Sequence, residues 1–151
     1  MLFFLLFILE ISVKLWYHLT ILILDWCVFM NNNMITILIC DDSILVRKKM
    51  KDTLSKIGNI TVLEASDGEQ AVAQYMDKKP DLVFMDIVMP KKNGVEALKE
   101  ILSFDKSAKV VIVSSVGTQG NLKEAIEAGA YDFLQKPISD DSVIKIIKGI
   151  K

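Results

Sequence analysis

The chain has 151 residues, 52% of them hydrophobic, with 18 Lys and Arg set against 19 Asp and Glu for a formal net charge of -1. That length supports one hydrophobic core and excludes a second folded domain of ordinary size. The basic residues gather only in short runs, Arg47-Lys48-Lys49 with Lys51, Lys78-Lys79 and Lys91-Lys92, which read as solvated faces rather than a nucleic-acid surface.

Residues 1–33 stand apart in composition. Leu2 to Leu9 is unbroken apolar sequence, and Leu, Ile, Phe, Val and Trp dominate as far as Met30. As a helix this stretch would be about 43 Å long, more than the roughly 30 Å of a bilayer core. Glu10, Lys14, His18 and Asp25 fall within about 80° of one another on a helical wheel and form a narrow polar stripe. The absence of a Lys or Arg ahead of the apolar run, and of a small-residue cleavage site, disfavours a signal peptide. Charged residues near a bilayer centre cost about 2.5–3.5 kcal/mol each, which disfavours a clean transmembrane anchor. Three readings stay open for residues 1–33: a mis-assigned extension ahead of a true start at Met34, a membrane or interfacial anchor, or an extra packed helix. The domain is read as residues 34–151 and as cytoplasmic, with membrane association only if residues 1–33 are genuine. Cys27 and Cys40 lack CxxC or metal-ligand spacing and read as packed thiols in a reducing compartment, and the lone His18 has no partner for zinc or triad chemistry.

From Ile35 onward, short β-branched runs alternate with stretches of helical period. Strands are expected at 35–40, 60–65, 81–86, 109–114 and 131–135. The first helix is expected from about Ser43 to Ile57, with Ile44, Met50, Leu54 and Ile57 as its apolar stripe ahead of Gly58. The second follows a capping box, Ser66-Asp67-Gly68-Glu69, and ends before Pro80; the third begins near Asn93, with Glu96 in the same spacing. The fourth is expected over about Gln119–Ala128 and the fifth over about Ser139–Ile150. Alternation of this kind predicts an α/β fold, an open, doubly wound parallel sheet with helices on both faces. In such sheets ligands sit beyond the strand carboxyl ends, where strand order reverses.

That edge is where the unusual residues fall. The apolar strand Ile35–Cys40 ends in Asp41-Asp42, Leu82–Met85 in Asp86, Val110–Val113 in Ser114, and Phe133–Gln135 in Lys136-Pro137. One of the adjacent aspartates could serve as a helix cap, and Asp86 could be a turn former ahead of Pro90. Three converging carboxylates, however, repel one another and are most economically neutralised by a hard divalent cation, which for phosphoryl chemistry means Mg²⁺. A carboxylate at Asp86 can attack phosphorus, and an ammonium at Lys136 can pair with a phosphoryl oxygen. Pro137 is a candidate for a cis bond.

Asp41-Asp42, Asp86 ahead of Met89-Pro90, Ser114 and Lys136-Pro137, in this order and spacing, make residues 34–151 resemble a stand-alone CheY-like response-regulator receiver domain. The resemblance implies a flavodoxin-like five-stranded sheet in the order 2-1-3-4-5 with five helices. It implies Asp86 as the phosphoacceptor, Asp42, Asp86 and the Val88 carbonyl as direct Mg²⁺ ligands, and Asp41 as a ligand through water. Ser114 would bond a phosphoryl oxygen and carry the loop Ser115-Val116-Gly117-Thr118 toward it, Lys136 would pair with the phosphoryl group, and Phe133 would be the aromatic switch, against the plainer reading of a core aromatic. The chain would be a two-component switch that catalyses only its own phosphorylation and dephosphorylation. A histidine kinase, phosphotransfer protein or small phosphodonor would load it. Output would pass through protein contacts on the face of helix four, strand five and helix five, with chemotaxis one candidate pathway. Val88 and Val116 are apolar where many relatives carry polar side chains, which implies slow self-dephosphorylation; Ile138 replaces a frequent aromatic. A haloacid-dehalogenase-like phosphatase is the rival enzyme reading, although it expects an Asp-x-Asp nucleophile motif after the first strand. A pseudo-receiver that binds a partner without phosphorylation is the rival binding-module reading.

Overall fold

A computed structural model describes residues 16–17, 19–22, 34–115 and 119–150. The chain divides into two units, Met1–Met34 and Ile35–Lys151. In the first, residues 16–17 and 19–22 are helical, and the Thr20 hydroxyl bonds back to the carbonyls of Trp16 and Tyr17 at 3.1 and 2.8 Å. The rest of the expected 1–33 helix and its polar stripe lies outside the described residues. Among those described, no helix is long and apolar enough to cross a membrane.

The second unit runs β1 (Ile35–Cys40), α1 (Ile44–Ser55), β2 (Ile60–Ala65), α2 (Gly68–Lys78), β3 (Leu82–Asp86), α3 (Gly94–Phe104), β4 (Val110–Ser114), α4 (Gln119–Ala128), β5 (Asp132–Gln135) and α5 (Asp140–Ile150). All strands are parallel, in the order β2-β1-β3-β4-β5. This is the doubly wound five-stranded sheet that the alternation of elements predicts.

Period-two alternation along the strands makes two cores. Leu38, Cys40, Val83, Met85, Val110 and Ile112 point to the face covered by α2, α3 and α4, where Val72, Tyr75, Leu98, Ile101 and Ala125 meet them. Ile37, Ile39, Leu82, Phe84, Val111 and Val113 point to the other face, against Met50 and Leu54 of α1 and Val143, Ile146 and Ile147 of α5. Central strands buried on both sides need continuous apolar sequence, and every residue of β3 and β4 is buried, their terminal Asp86 and Ser114 included. Each of the largest buried side chains contributes about 1.5–3 kcal/mol by leaving water.

Three local expectations need correction. Ile44 does not join the apolar stripe of α1 but is exposed, because it lies about 120° around the helix from Met50; the buried residues there are Met50, Thr53 and Leu54. The cap of α2 is Asp67, one residue later than the expected Ser66, and its carboxylate accepts from the Gln70 N–H at 2.9 Å. Gln70, rather than Glu69, reaches back to the Ser66 N–H at 3.2 Å. The aspartate competes successfully because its charge favours the positive end of the helix. Asn93 caps α3 as expected, accepting from Val95 and Glu96 N–H. Phe133, finally, is no core aromatic: β5 is an edge strand and leaves that ring half exposed.

Candidate functional site

Strand order reverses between β1 and β3, and the polar strand ends gather there. Cys40 pairs with Met85, so one step further Asp41 and Asp86 leave the sheet side by side. Backbone bonds continue past the strand ends, from Asp41 N–H to the Ala65 carbonyl, Ile87 N–H to Val113 and Lys136 N–H to Ser114, so each loop leaves from a fixed point. Suitably placed carboxylate oxygens of Asp41, Asp42 and Asp86 all lie within 4.8 Å of one another. Asp41 and Asp86 are buried, whereas Asp42 is exposed.

Lys136 arrives from the far side of β4. Its ammonium stands 2.7 Å from Asp41 Oδ2 and 2.9 Å from Asp86 Oδ2, and its peptide bond to Pro137 is cis. The two partners of this bridge respond differently. Burial lifts the Asp86 carboxyl above its ordinary range, Lys136 opposes that lift, and the neighbouring Asp41 adds to it. At Lys136 burial pulls downward, but the hydrogen bonds and charges of Asp41 and Asp86 outweigh it and raise the ammonium's affinity for its proton.

Asp41 has both oxygens engaged, Oδ1 by the Ser43 N–H at 2.9 Å and Oδ2 by Lys136. Asp42 carries no side-chain hydrogen bond or ion pair among the described residues, so its carboxylate is open. Ser114 is buried at the end of β4, and Val88 is exposed on the loop that leaves Asp86. Val116 and its neighbours Gly117 and Thr118 lie outside the described residues, so the expected loop movement falls partly there. Three carboxylates and one ammonium leave two negative charges at a pocket of oxygen donors, which fits one hard divalent cation.

The loop from Asp86 to α3 is held by close backbone packing. A Cβ at Gly94 would overlap the Asp86 carbonyl oxygen, and one at Gly68 would press into the Lys92 carbonyl. The Gly94 N–H bonds the Ile87 carbonyl at 2.9 Å, and Lys91 pairs with the buried Asp67 at 2.8 Å.

Arg47 is the residue the sequence reading passed over, because it opens a basic run that reads as a solvated face. Its side chain is only 14% exposed. Nη1 donates to the Asp41 carbonyl at 2.7 Å and to the Asp42 carbonyl at 3.4 Å, while Nε pairs with Glu64 Oε2 at 3.0 Å. The available signal was its position directly after three apolar residues at the start of a helix that has no acidic residue in its first turn.

The family model described as "Response regulator receiver domain" matches residues 37–148. The chain belongs to that family. Among related receivers, the chemotaxis protein CheY of Thermotoga maritima is 41% identical over 114 residues, covering 76% of this chain and 95% of that protein. Bacillus subtilis CheY is 46% identical over 111 residues, covering 74% and 92%. Among solved structures, a chain of the CheX-CheY-BeF3-Mg²⁺ complex from Borrelia burgdorferi has a TM-score of 0.72 at 29% identity, covering 80% of this chain and 96% of that one. This chain is therefore a CheY-like receiver domain of the two-component response-regulator class, and the expected flavodoxin-like strand order is the one observed.

Proposed function

We propose that this receiver is a phosphorylation-activated switch in which Asp86 accepts the phosphoryl group with Mg²⁺ bound. The observation that carries the reading is the convergence of Asp41, Asp42 and Asp86 with the Lys136 ammonium at one sheet edge. Asp42, Asp86 and the Val88 carbonyl would hold Mg²⁺ directly, and Asp41, its oxygens already occupied, would act through water. The bound ion would supply charge neutralisation for the incoming phosphoryl oxygens. Asp86 contributes the attacking oxygen: a new Oδ–P bond forms as the donor's bond to phosphorus breaks and its electron pair leaves with the donor. Lys136 is placed to transfer one of its hydrogen bonds from carboxylate to phosphoryl oxygen, and the Ser114 hydroxyl to accept the role of sensing that group. Catalysis would be confined to the chain's own loading and unloading.

A histidine kinase, phosphotransfer protein or small phosphodonor would supply the phosphoryl group, consistent with a cytoplasmic location. Exposed Ile126, Tyr131 and Phe133 on α4 and around β5 support that side, with α5, as the output face, and Phe133 as the residue that responds to phosphorylation. Relatives named chemotaxis protein CheY support a chemotaxis role. The placement of Asp86 at the end of β3 leaves the haloacid-dehalogenase alternative without support.

Labelling with acetyl phosphate in Mg²⁺, followed by intact-mass spectrometry, tests the reading. The parent should gain one phosphoryl group and Asp86→Asn none. A parent that stays unlabelled would favour a pseudo-receiver that only binds a partner.

A further inference from the structure

We infer that Arg47 is a positioning residue for the cation site, setting the Asp41-Asp42 turn through its guanidinium and being set in turn by Glu64. The inference rests on reading the acidic cluster as a Mg²⁺ site and adds residues outside that cluster to it.

The placement of Arg47 runs against local electrostatics. α2, α3 and α5 each carry an acidic residue in the first turn, at Glu69, Glu96 and Asp140-Asp141, as the positive end of a helix favours. α1, like α4, has none there, and in α1 Arg47-Lys48-Lys49 follow immediately. A cation near a helix N-terminus is unfavourable, so its burial there calls for compensating contacts, and these are specific. The guanidinium spans from Glu64 on β2 to the carbonyls of both residues in the turn. Glu64 is itself fixed by Lys51, whose ammonium stands 2.6 Å from Oε1, and pairing with Lys51 and Arg47 holds its carboxyl below the usual range. The turn is then held at four backbone groups: Asp41 N–H by β2, the two carbonyls by Arg47, and Ser43 N–H by Asp41 Oδ1. With the peptide planes fixed, the carboxylates of Asp41 and Asp42 have little freedom in the direction they leave the backbone. Orientation before the cation arrives is what outer-shell partners supply to a metal site.

Charge and geometry predict opposite signs, which makes the inference testable. Removing a positive charge close to a cation site should tighten cation binding by Coulomb's law. Removing the residue that orients the ligands should weaken it. Mg²⁺ titration of the full chain by isothermal titration calorimetry, with thermal unfolding in EDTA beside it, separates the two. Arg47→Gln should raise the Mg²⁺ dissociation constant by about tenfold. Arg47→Lys should restore the charge without restoring the affinity, since an ammonium cannot span Glu64 and both carbonyls at once. Glu64→Gln should weaken binding by less than Arg47→Gln. A dissociation constant in Arg47→Gln equal to or below the parent's overturns the inference, as does parental affinity in Arg47→Lys. If Arg47→Gln loses its cooperative unfolding transition, Arg47→Lys and Glu64→Gln carry the comparison. A parent that takes up no Mg²⁺ overturns the site reading and the inference together; a parent that binds while Arg47→Lys is indifferent overturns the inference alone.

Discussion

Val88 is exposed on the loop two residues beyond Asp86 and would present only methyl groups to any water near a phosphoryl group carried there. An amide there could orient that water for attack, so Val88→Asn should shorten the lifetime of the phosphorylated state by up to about a hundredfold, the lower range of assistance by one positioned group. Phosphate release after removal of the donor measures it, and an unchanged lifetime would show that Val88 does not set the rate. Gly94 is a steric counterpart. A methyl group at this position meets the Asp86 carbonyl oxygen, so Gly94→Ala should cost about 1–3 kcal/mol in urea unfolding through displacement of the loop. At this scale Asp41 and Asp86 were legible because each ends an apolar strand, where packing gives no reason for charge, and Lys136 because it stands before a proline at the matching end of β5. Arg47 was not, because charge in a basic run looks the same whether the guanidinium faces water or folds inward onto two carbonyls. Cys40 was legible as a packed thiol: burial, assisted by the charge of Asp41, pushes its proton affinity up and suppresses its reactivity.

Among the elements, α2 shows how a cap also serves its neighbours. Asp67 closes the helix through Gln70 and at the same time receives Lys91 from the loop after β3. Pairing with Lys91 and the Gln70 N–H lowers its pKa in the folded state, so the carboxylate stabilises the fold above the unfolded value near 3.9 and loses that contribution as pH falls through its depressed folded value. Asp67→Asn keeps an oxygen for the cap but not the charge. Urea unfolding across about pH 2 to 5 should therefore show a shallower acid limb in Asp67→Asn than in the parent, and parallel limbs would remove Asp67 from the acid response. Sequence pattern placed β1 and β2 to the residue and the remaining strands to within one. It misplaced the α2 cap because Ser66 and Asp67 both carry capping oxygens, and only the competition between them decides. It misread Ile44 because that residue falls about 120° around α1 from Met50, away from the buried stripe.

For the molecule as a whole, both cores close within the unit Ile35–Lys151, with α1 and α5 on one face and α2, α3 and α4 on the other. We propose that residues 34–151 are the functional domain and residues 1–33 a separate hydrophobic extension. A chain starting at Met34 should then unfold cooperatively in urea at the midpoint of the full chain and retain its Mg²⁺ affinity; loss of either would make residues 1–33 part of the domain. The layered fold was legible from alternation alone, since a parallel sheet demands a crossover after each strand. The exposure of Phe133 was not, because it depends on which strand ends the sheet. The Lys136 bridge has a temporal consequence. Its ammonium directly follows β5, whereas the carboxylates it joins lie 95 and 50 residues earlier. The acidic residues precede Lys136 on the ribosome, and contacts this distant in sequence form late. On the proposed reading, a nascent chain would offer a phosphodonor no finished site, and the docking of β5 with the turn after it would complete the switch.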